Sequence, residues 1–312
     1  MLSLAFSALA VQGSDTPPPT VIPKDHLALK DGKGNLWWKI RHERKLREIA
    51  RLGGKVDIVF LGDSIMKNWE TVKWGRKSYD ALRREWSILN LGYGGDRTQQ
   101  VLWRCLNGEL DGYQAKAVVL LNGTNNAYYE KLPPETIAAG IAKIVNVVRE
   151  KQPQAVILLM PLLPRYETRN DPLRLKNDRV NELIRPLADG RGVVWMDLGD
   201  RFVKEDGAPD PRLFADLCHP NENGYPVWKD AMIPYLRKYV TRCDGPEAKC
   251  ASEERLPVTL RGGDACLEFE SAEKGLGCRS LACGGSSFFS VDGSTAPGLW
   301  KLTFRAGVNG EE

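Results

Sequence analysis

The chain has 312 residues, of which 42% are hydrophobic and 27% are charged. This composition excludes disordered, collagen-like and coiled-coil chains and fits an ordinary globular protein of one or two domains. The net charge of +4, from 44 basic and 40 acidic residues, is too small an excess to indicate nucleic acid as a partner. No apolar run reaches the roughly 18 residues of a membrane-spanning helix, so we expect no membrane span.

The N-terminal residues resemble part of a targeting segment. Residues 1–10 form a short apolar run that ends in small residues, and a polar, Pro-rich stretch follows it. This order is typical of the later part of a secretion signal, although the basic residues that open such a signal are missing. A disordered apolar tail is the alternative. We expect residues 1–23 to be the remainder of a signal peptide and a linker, which predicts a secreted or periplasmic protein.

Residues 37–52 predict a basic amphipathic helix, and we expect its charged face to be solvated. From residue 56 onward, short apolar runs alternate with helical patterns. The runs predict strands that are buried on both faces, and they cover residues 56–61, 87–91, 117–121, 155–160 and 193–198. Apolar residues at spacings of three and four predict helices over residues 134–151, 173–188 and 223–240. This alternation requires crossover connections, so we predict a three-layer α/β/α domain with a central parallel sheet over residues 24–242.

Residues 243–312 differ from this domain in composition. They are rich in Gly, Ser and Cys, and short alternating runs at 257–260, 266–269 and 299–304 predict a small β-type module, which we expect to be incomplete. Five of the 7 cysteines of the chain lie there. This clustering predicts disulfides in an oxidising compartment. A zinc site is the alternative, but no paired C-x-x-C motif supports it.

A candidate nucleophile follows the first predicted strand. In an open parallel sheet, ligands bind beyond the carboxyl ends of the strands. The first strand runs into Gly62, Asp63 and Ser64, so the Ser64 hydroxyl is expected on the turn that begins a helix, with its backbone N–H directed into the site. A helix cap is the simpler interpretation of these three residues alone.

A serine nucleophile needs a base, and the chain has three histidines. His26 and His42 precede the first strand, whereas His219 lies between the last predicted strand and the final helix, at the same edge as Ser64. Asp216, three residues earlier, is placed to hold the Nδ1–H of the imidazole. In isolation, this segment also fits a capping loop with a solvated histidine.

Two further strand ends offer hydrogen-bond donors for a developing oxyanion. Gly94 and Gly95 follow the second strand and allow a backbone N–H to approach a ligand closely, and Asn125 follows the third strand. Each segment alone could be a turn. Four strand-end loops with Ser, Gly, Asn and an Asp/His pair rarely arise independently, so together they indicate an acyl-transfer site.

These segments resemble the four sequence blocks of the SGNH (GDSL-type) hydrolase superfamily, over roughly residues 55–240. The blocks are residues 62–64, 94–95, 123–126 and 216–220. A closer similarity, to esterases of the platelet-activating-factor acetylhydrolase catalytic-subunit type, is carried by residues 90–98, 101–104, 107–110, 162–165 and 177–181.

The resemblance implies a flavodoxin-like sheet and a serine esterase that uses neither a metal nor another cofactor. It implies Ser64 as nucleophile, His219 as base and Asp216 as the partner of His219. The implied oxyanion hole consists of the Ser64 N–H, the Gly95 N–H and the Asn125 side chain. Ile65 stands where the family often has Leu, which is an ordinary variant.

The expected substrate is therefore a small acyl ester, with acetyl favoured by the resemblance and an acetylated carbohydrate as the acyl donor. One alternative is an acetylhydrolase that acts on acetylated phospholipid. Another is a non-catalytic carbohydrate-binding or surface protein in which the Cys-rich tail is the working part. Both a monomer and a homodimer fit the sequence.

Overall fold

The computed structural model describes residues 17–25, 36–130 and 132–240 with their side chains, and the backbone of four strands between residues 258 and 290. The first sixteen residues, His26, the run 299–304 and the side chains of the five tail cysteines lie outside the described residues, so the signal-peptide and disulfide predictions stay predictions. The chain divides into two compact units between Asp244 and Gly245.

The first unit contains a five-stranded, all-parallel sheet. Its strands are β1 (Ile58–Gly62), β2 (Ile88–Gly92), β3 (Ala117–Leu121), β4 (Val156–Leu159) and β5 (Val193–Trp195), in the order β2-β1-β3-β4-β5. Every residue of β1, β2 and β3 is buried, because helices cover both faces. The predicted three-layer, flavodoxin-like architecture is confirmed.

Eight α-helices belong to the part of this unit that the structure describes. They are α1 (Leu36–Leu52), α2 (Ser64–Lys67), α3 (Arg76–Arg83), α4 (Thr98–Arg104), α5 (Thr124–Tyr129), α6 (Pro134–Lys151), α7 (Pro172–Ile184) and α8 (Gly224–Tyr239). Short helical turns cover Pro19–Val21, Asn68–Glu70, Cys105–Glu109, Arg185–Leu187, Gly199–Phe202 and Pro211–Leu213. The three helices predicted after residue 130 are present, although α7 ends at Ile184 and continues as a tighter turn. No described helix is both long and apolar enough to cross a membrane.

The prediction of a solvated charged face on α1 holds for the exposed residues Lys39, Glu43, Arg44, Arg47 and Arg51, but it is wrong for Lys45 and Arg41. The side chain of Lys45 is only 4% exposed and pairs with Glu48 and Glu70, at 2.8 and 2.9 Å. Arg41 pairs with the same Glu70 carboxylate at 2.8 Å. Burial alone would raise the pKa of Glu70, but these two cations lower it to about 2. Arg41 and Lys45 therefore anchor the helix to the domain.

Two glycines at strand ends permit the close packing that positions α2. A Cβ atom at Gly62 would lie 2.0 Å from the Leu121 carbonyl oxygen, and one at Gly92 would lie 2.1 Å from the Lys67 backbone nitrogen. Neither neighbour is a flexible side chain, so only glycine fits at these positions. The first turn of α2, which begins at Ser64, therefore packs directly against the carboxyl ends of the strands.

The described part of the second unit is an antiparallel sheet of four sequential strands. They are β6 (Val258–Gly262), β7 (Ala265–Ala272), β8 (Gly275–Cys283) and β9 (Ser286–Ser290), paired in chain order. Two of the predicted tail runs, 257–260 and 266–269, overlap β6 and β7. The tail thus contains the β-type structure that its alternating pattern predicts.

Candidate active site

Ser64, His219 and Asp216 form a continuous chain of hydrogen bonds. Ser64 Oγ lies 2.8 Å from His219 Nε2, and His219 Nδ1 lies 2.8 Å from Asp216 Oδ2. Ser64 is the first residue of α2, and the other two residues lie in the loop between β5 and α8. The structure therefore brings Ser64 together with a His219–Asp216 pair that lies about 150 residues later in the sequence.

Asp216 organises the loop that carries the imidazole. Its Oδ1 accepts hydrogen bonds from the backbone N–H groups of Cys218 and His219, both at 2.7 Å. Burial alone would raise the pKa of Asp216, but the hydrogen bonds from the backbone and ring of His219 lower it. An ionised carboxylate can only accept, so His219 Nδ1 carries the proton and Nε2 is free to accept one from Ser64.

The indole of Trp74 lies against the face of the His219 imidazole. Sequence reasoning did not identify Trp74 as a site residue. Its indole is stacked on the His219 ring, with ring centroids 6.1 Å apart and planes 12° apart. The loop is closed by a hydrogen bond from Ala215 N–H to the His219 carbonyl at 2.8 Å. Stacking partners at long sequence separation leave no local pattern from which this contact could be predicted.

The donors that the sequence predicts for an oxyanion hole follow adjacent strand ends. Gly62 pairs in register with Gly92 and with Leu121, so the loops that carry Ser64, Gly95 and Asn125 begin side by side. In the described part of the chain, the Ser64 and Gly95 N–H groups donate to no other residue. Asn125 Nδ2 donates to the Asp96 carbonyl at 2.9 Å. A carboxamide has two N–H groups, so the second remains available to a ligand.

Asp63, rather than Ser64, is the helix cap in the first sequence block. Its Oδ1 accepts a hydrogen bond from Ile65 N–H at 3.0 Å, and its Oδ2 has no hydrogen-bond partner among the described residues. Burial raises the pKa of Asp63 to about 7. The capping role therefore leaves the Ser64 hydroxyl free for chemistry.

Cys218 lies next to His219 but is poorly suited to act as a nucleophile. Burial raises the pKa of its thiol to about 12, and the nucleophilic form of cysteine is the thiolate. Among the side chains that the structure describes, no group of three or more His, Cys, Asp or Glu could hold a metal ion.

A rim of larger side chains lies beside these loops and consists of Tyr128, Tyr166 and Leu217. We call it the aromatic rim after its two tyrosines. Tyr128 is 52% exposed, Leu217 is 48% exposed, and Tyr166 N–H donates to the Leu217 carbonyl at 2.9 Å. The Arg165 guanidinium lies 5.2 Å from the Tyr128 ring centre and 4.6 Å from that of Tyr166. Tyr128 is one helical turn after Asn125, on the same side of α5. The rim thus adjoins both the candidate donor Asn125 and the loop that carries His219.

Comparisons with known proteins assign this chain to a family. The model of the GDSL-like lipase/acylhydrolase family matches residues 60–227. Platelet-activating factor acetylhydrolase IB subunit alpha2 of Rattus norvegicus is 36% identical over 208 residues, which are 66% of this chain and 85% of that protein.

Solved structures share the fold at lower identity. A GDSL-like lipase from Bacteroides thetaiotaomicron superposes with a TM-score of 0.54 at 19% identity, over 63% of this chain and 97% of that one. The acetyl xylan esterase AlAXEase superposes with a TM-score of 0.50 at 17% identity, over 58% of this chain and 100% of that one. The family match and the identity to the acetylhydrolase subunit show that the chain belongs to the GDSL-like lipase/acylhydrolase family and is a carboxylic ester hydrolase.

Proposed function

We propose that this protein is a serine esterase that removes acetyl or another short acyl group from a carbohydrate or a similar small ester. The observation that carries the proposal is the pair of 2.8 Å contacts that link Ser64 Oγ through the His219 ring to Asp216. A hydroxyl in contact with an oriented imidazole is the arrangement that activates serine for attack on an ester.

The proposed reaction has two half-cycles. Ser64 Oγ bonds to the ester carbonyl carbon while its proton passes to His219 Nε2, and the carbonyl oxygen becomes an oxyanion held by the donors of Ser64, Gly95 and Asn125. Collapse of this intermediate breaks the carbon–oxygen bond to the alcohol, which leaves with the proton from His219. Water then attacks the acyl-Ser64 ester by the same steps, and the carboxylic acid leaves with Ser64 restored.

Two observations support a small acyl group on a polar alcohol. The 36% identity is to a protein named as an acetylhydrolase, which favours acetyl. The aromatic rim offers the ring of Tyr128, which is 52% exposed, and an exposed ring with a polar hydroxyl suits a sugar better than a lipid chain.

The second candidate substrate is an acetylated phospholipid, and the name of the same relative supports it. The two candidates differ in what they require beside Ser64. A lipid needs a wide apolar groove, whereas the most exposed side chain of the rim is the amphipathic ring of Tyr128. We therefore place the carbohydrate first.

The experiment that tests the proposal is hydrolysis of 4-nitrophenyl acetate, butyrate and octanoate by the wild type and by Ser64→Ala. We expect acetate-selective turnover that is lost in Ser64→Ala and retained in Cys218→Ala, the control for the neighbouring thiol. Undiminished turnover in Ser64→Ala would overturn the proposal. Release of acetate from acetylated xylo-oligosaccharides, compared with release from acetylated phospholipid vesicles, then separates the two substrates.

The apolar run at residues 1–10 and the cysteines after residue 240 support export to an oxidising compartment as part of the proposal. Recovery of the native protein from the periplasm or the medium, with its tail cysteines oxidised by mass spectrometry, is the expected result. A cytoplasmic protein with seven free thiols would contradict it.

A further inference from the structure

A single fully buried guanidinium lies under the loops that carry the candidate oxyanion donors. Arg104, the last residue of α4, has a side chain that is 0% exposed. It donates to the Gly62 carbonyl and to the Leu91 carbonyl, both at 3.1 Å. Gly62 is two residues before Ser64, and Leu91 is at the end of the strand that leads to Gly95. One side chain therefore joins the backbone segments from which two of the donors follow.

The same guanidinium reaches the third donor through Asp96. Arg104 Nε donates to Asp96 Oδ2 and Trp38 Nε1 donates to Asp96 Oδ1, both at 2.8 Å. Since both carboxylate oxygens accept, the side chain of Asp96 is clamped between two elements. The backbone carbonyl of Asp96 in turn accepts Asn125 Nδ2 at 2.9 Å and Asn122 Nδ2 at 3.3 Å. Asp96 also directly follows Gly95, so its position fixes two donors at once.

A second carboxylate balances the buried charge. Glu109 accepts hydrogen bonds from Arg104, from His42 Nδ1 and from the hydroxyl of Tyr93, and the Tyr93 ring lies 3.9 Å from the guanidinium carbon. Burial alone would raise the pKa of Glu109, but Arg104 and these hydrogen bonds lower it. Buried ionic networks of this kind often add little net stability compared with apolar residues of the same volume. Stability alone is therefore a weak explanation for a buried arginine at this place.

We propose that Arg104 is a positioning residue that holds the Ser64, Gly95 and Asn125 donors in one fixed arrangement. It acts partly through Asp96, which Trp38 holds from the other side. This inference rests on the proposed function, because the donors matter only if an oxyanion forms. Donors that are fixed before the reaction need no reorganisation when the charge develops, which is the largest advantage of an oxyanion hole. The planar fork of arginine suits the task because it reaches several acceptors in fixed directions.

We call the hydrogen bonds of Arg104 and Trp38 to Asp96, and of Arg104 to the two strand-end carbonyls, the clamp. Substitutions that loosen the clamp are expected to lower kcat while KM changes little. Arg104→Lys keeps the charge but cannot span Asp96 and the two carbonyls, and we expect kcat to fall about 10- to 100-fold, as for a small displacement of catalytic groups. Trp38→Phe removes one donor to Asp96 and is expected to have a smaller effect in the same direction. Tyr79→Phe is the matched control, because it removes a buried hydrogen bond to the Ile88 carbonyl at the opposite end of β2.

A double-mutant cycle with Asn125→Ala separates positioning from general destabilisation. Asn125→Ala alone is expected to lower kcat on the order of 100- to 1,000-fold. If Arg104 acts through the donors, Arg104→Lys in the Asn125→Ala background costs a smaller factor than in the wild type. Equal factors in both backgrounds would overturn the inference that Arg104 positions Asn125.

A spectroscopic measurement keeps the inference testable apart from turnover. The side-chain NH2 signals of Asn125 in a ¹⁵N–¹H correlation spectrum, assigned with Asn125→Ala, are expected to shift or broaden in Arg104→Lys and Trp38→Phe and to stay in place in Tyr79→Phe. Unchanged signals in both clamp variants would overturn the inference. If the wild type hydrolyses no ester, the proposed function fails, and the spectra still report whether Arg104 holds the carboxamide.

Discussion

The imidazole of His219 lies nearly parallel to the indole of Trp74, with ring centroids 6.1 Å apart. Together with the Asp216 contact at Nδ1, this stacking leaves the ring one orientation toward Ser64. We expect Trp74→Ala to lower kcat on 4-nitrophenyl acetate about tenfold, because a catalytic base that loses part of its orientation is less effective. Trp74→Phe keeps an aromatic face and is expected to retain most of the turnover. Wild-type turnover in Trp74→Ala would mean that Asp216 alone orients the base.

Asp216→Asn tests the direction of the hydrogen bond to His219. The amide oxygen can still accept the two loop N–H groups, whereas the amide nitrogen can only donate to His219 Nδ1. The proton then moves to Nε2, which can no longer accept one from Ser64. By analogy with the same change in other serine hydrolases, we expect kcat to fall about 10⁴-fold. The thermal midpoint should stay close to that of the wild type, and a large fall in this midpoint would instead indicate a structural role.

The placement of Ser64 beside His219 could be predicted from the sequence because each residue stands at a junction that local patterns reveal. Apolar runs and helical periodicity locate the strand ends, and in a parallel sheet these ends share one edge. Trp38 and Arg104 could not be found in this way. Trp38 bonds to a residue 58 positions later in the chain, and an arginine at a helix end is usually exposed. Arg41 and Lys45 of α1 were wrongly assigned to the solvated face for the same reason, since their partner Glu70 lies beyond β1.

Asp63 makes stability depend on pH. Its pKa is raised from 3.8 to about 7 in the folded protein, so between these values the folded state binds more protons than the unfolded state. The contribution of Asp63 to the free energy of unfolding is therefore greatest below pH 4, and it is lost as the pH rises through 7. Relative to Asp63→Asn, which cannot ionise, we expect the wild type to lose up to about 4 kcal/mol between pH 4 and pH 8. Urea denaturation of both proteins at several pH values measures the difference, and parallel curves would show that Asp63 titrates normally.

Tyr128 is expected to affect the alcohol part of the substrate more than the chemistry. An aromatic contact contributes about 0.5–1.5 kcal/mol, so Tyr128→Ala should lower kcat/KM for acetylated xylo-oligosaccharides roughly two- to tenfold relative to 4-nitrophenyl acetate. Tyr239→Ala, at the far end of α8, is the control for loss of a tyrosine. Equal losses on both esters in Tyr128→Ala would indicate that the rim does not contact the sugar.

The placement of the aromatic rim has a consequence for how enzymes of this architecture diversify. The side chains of Tyr128 and Leu217 are about half exposed, and the hydrogen bonds and ion pairs of the buried Arg104 go to other residues. Rim side chains can therefore change one at a time while the proposed acyl-transfer residues stay in place. A change of ester specificity therefore requires substitutions only in the rim, and laboratory evolution of this chain would begin at Tyr128 and Leu217.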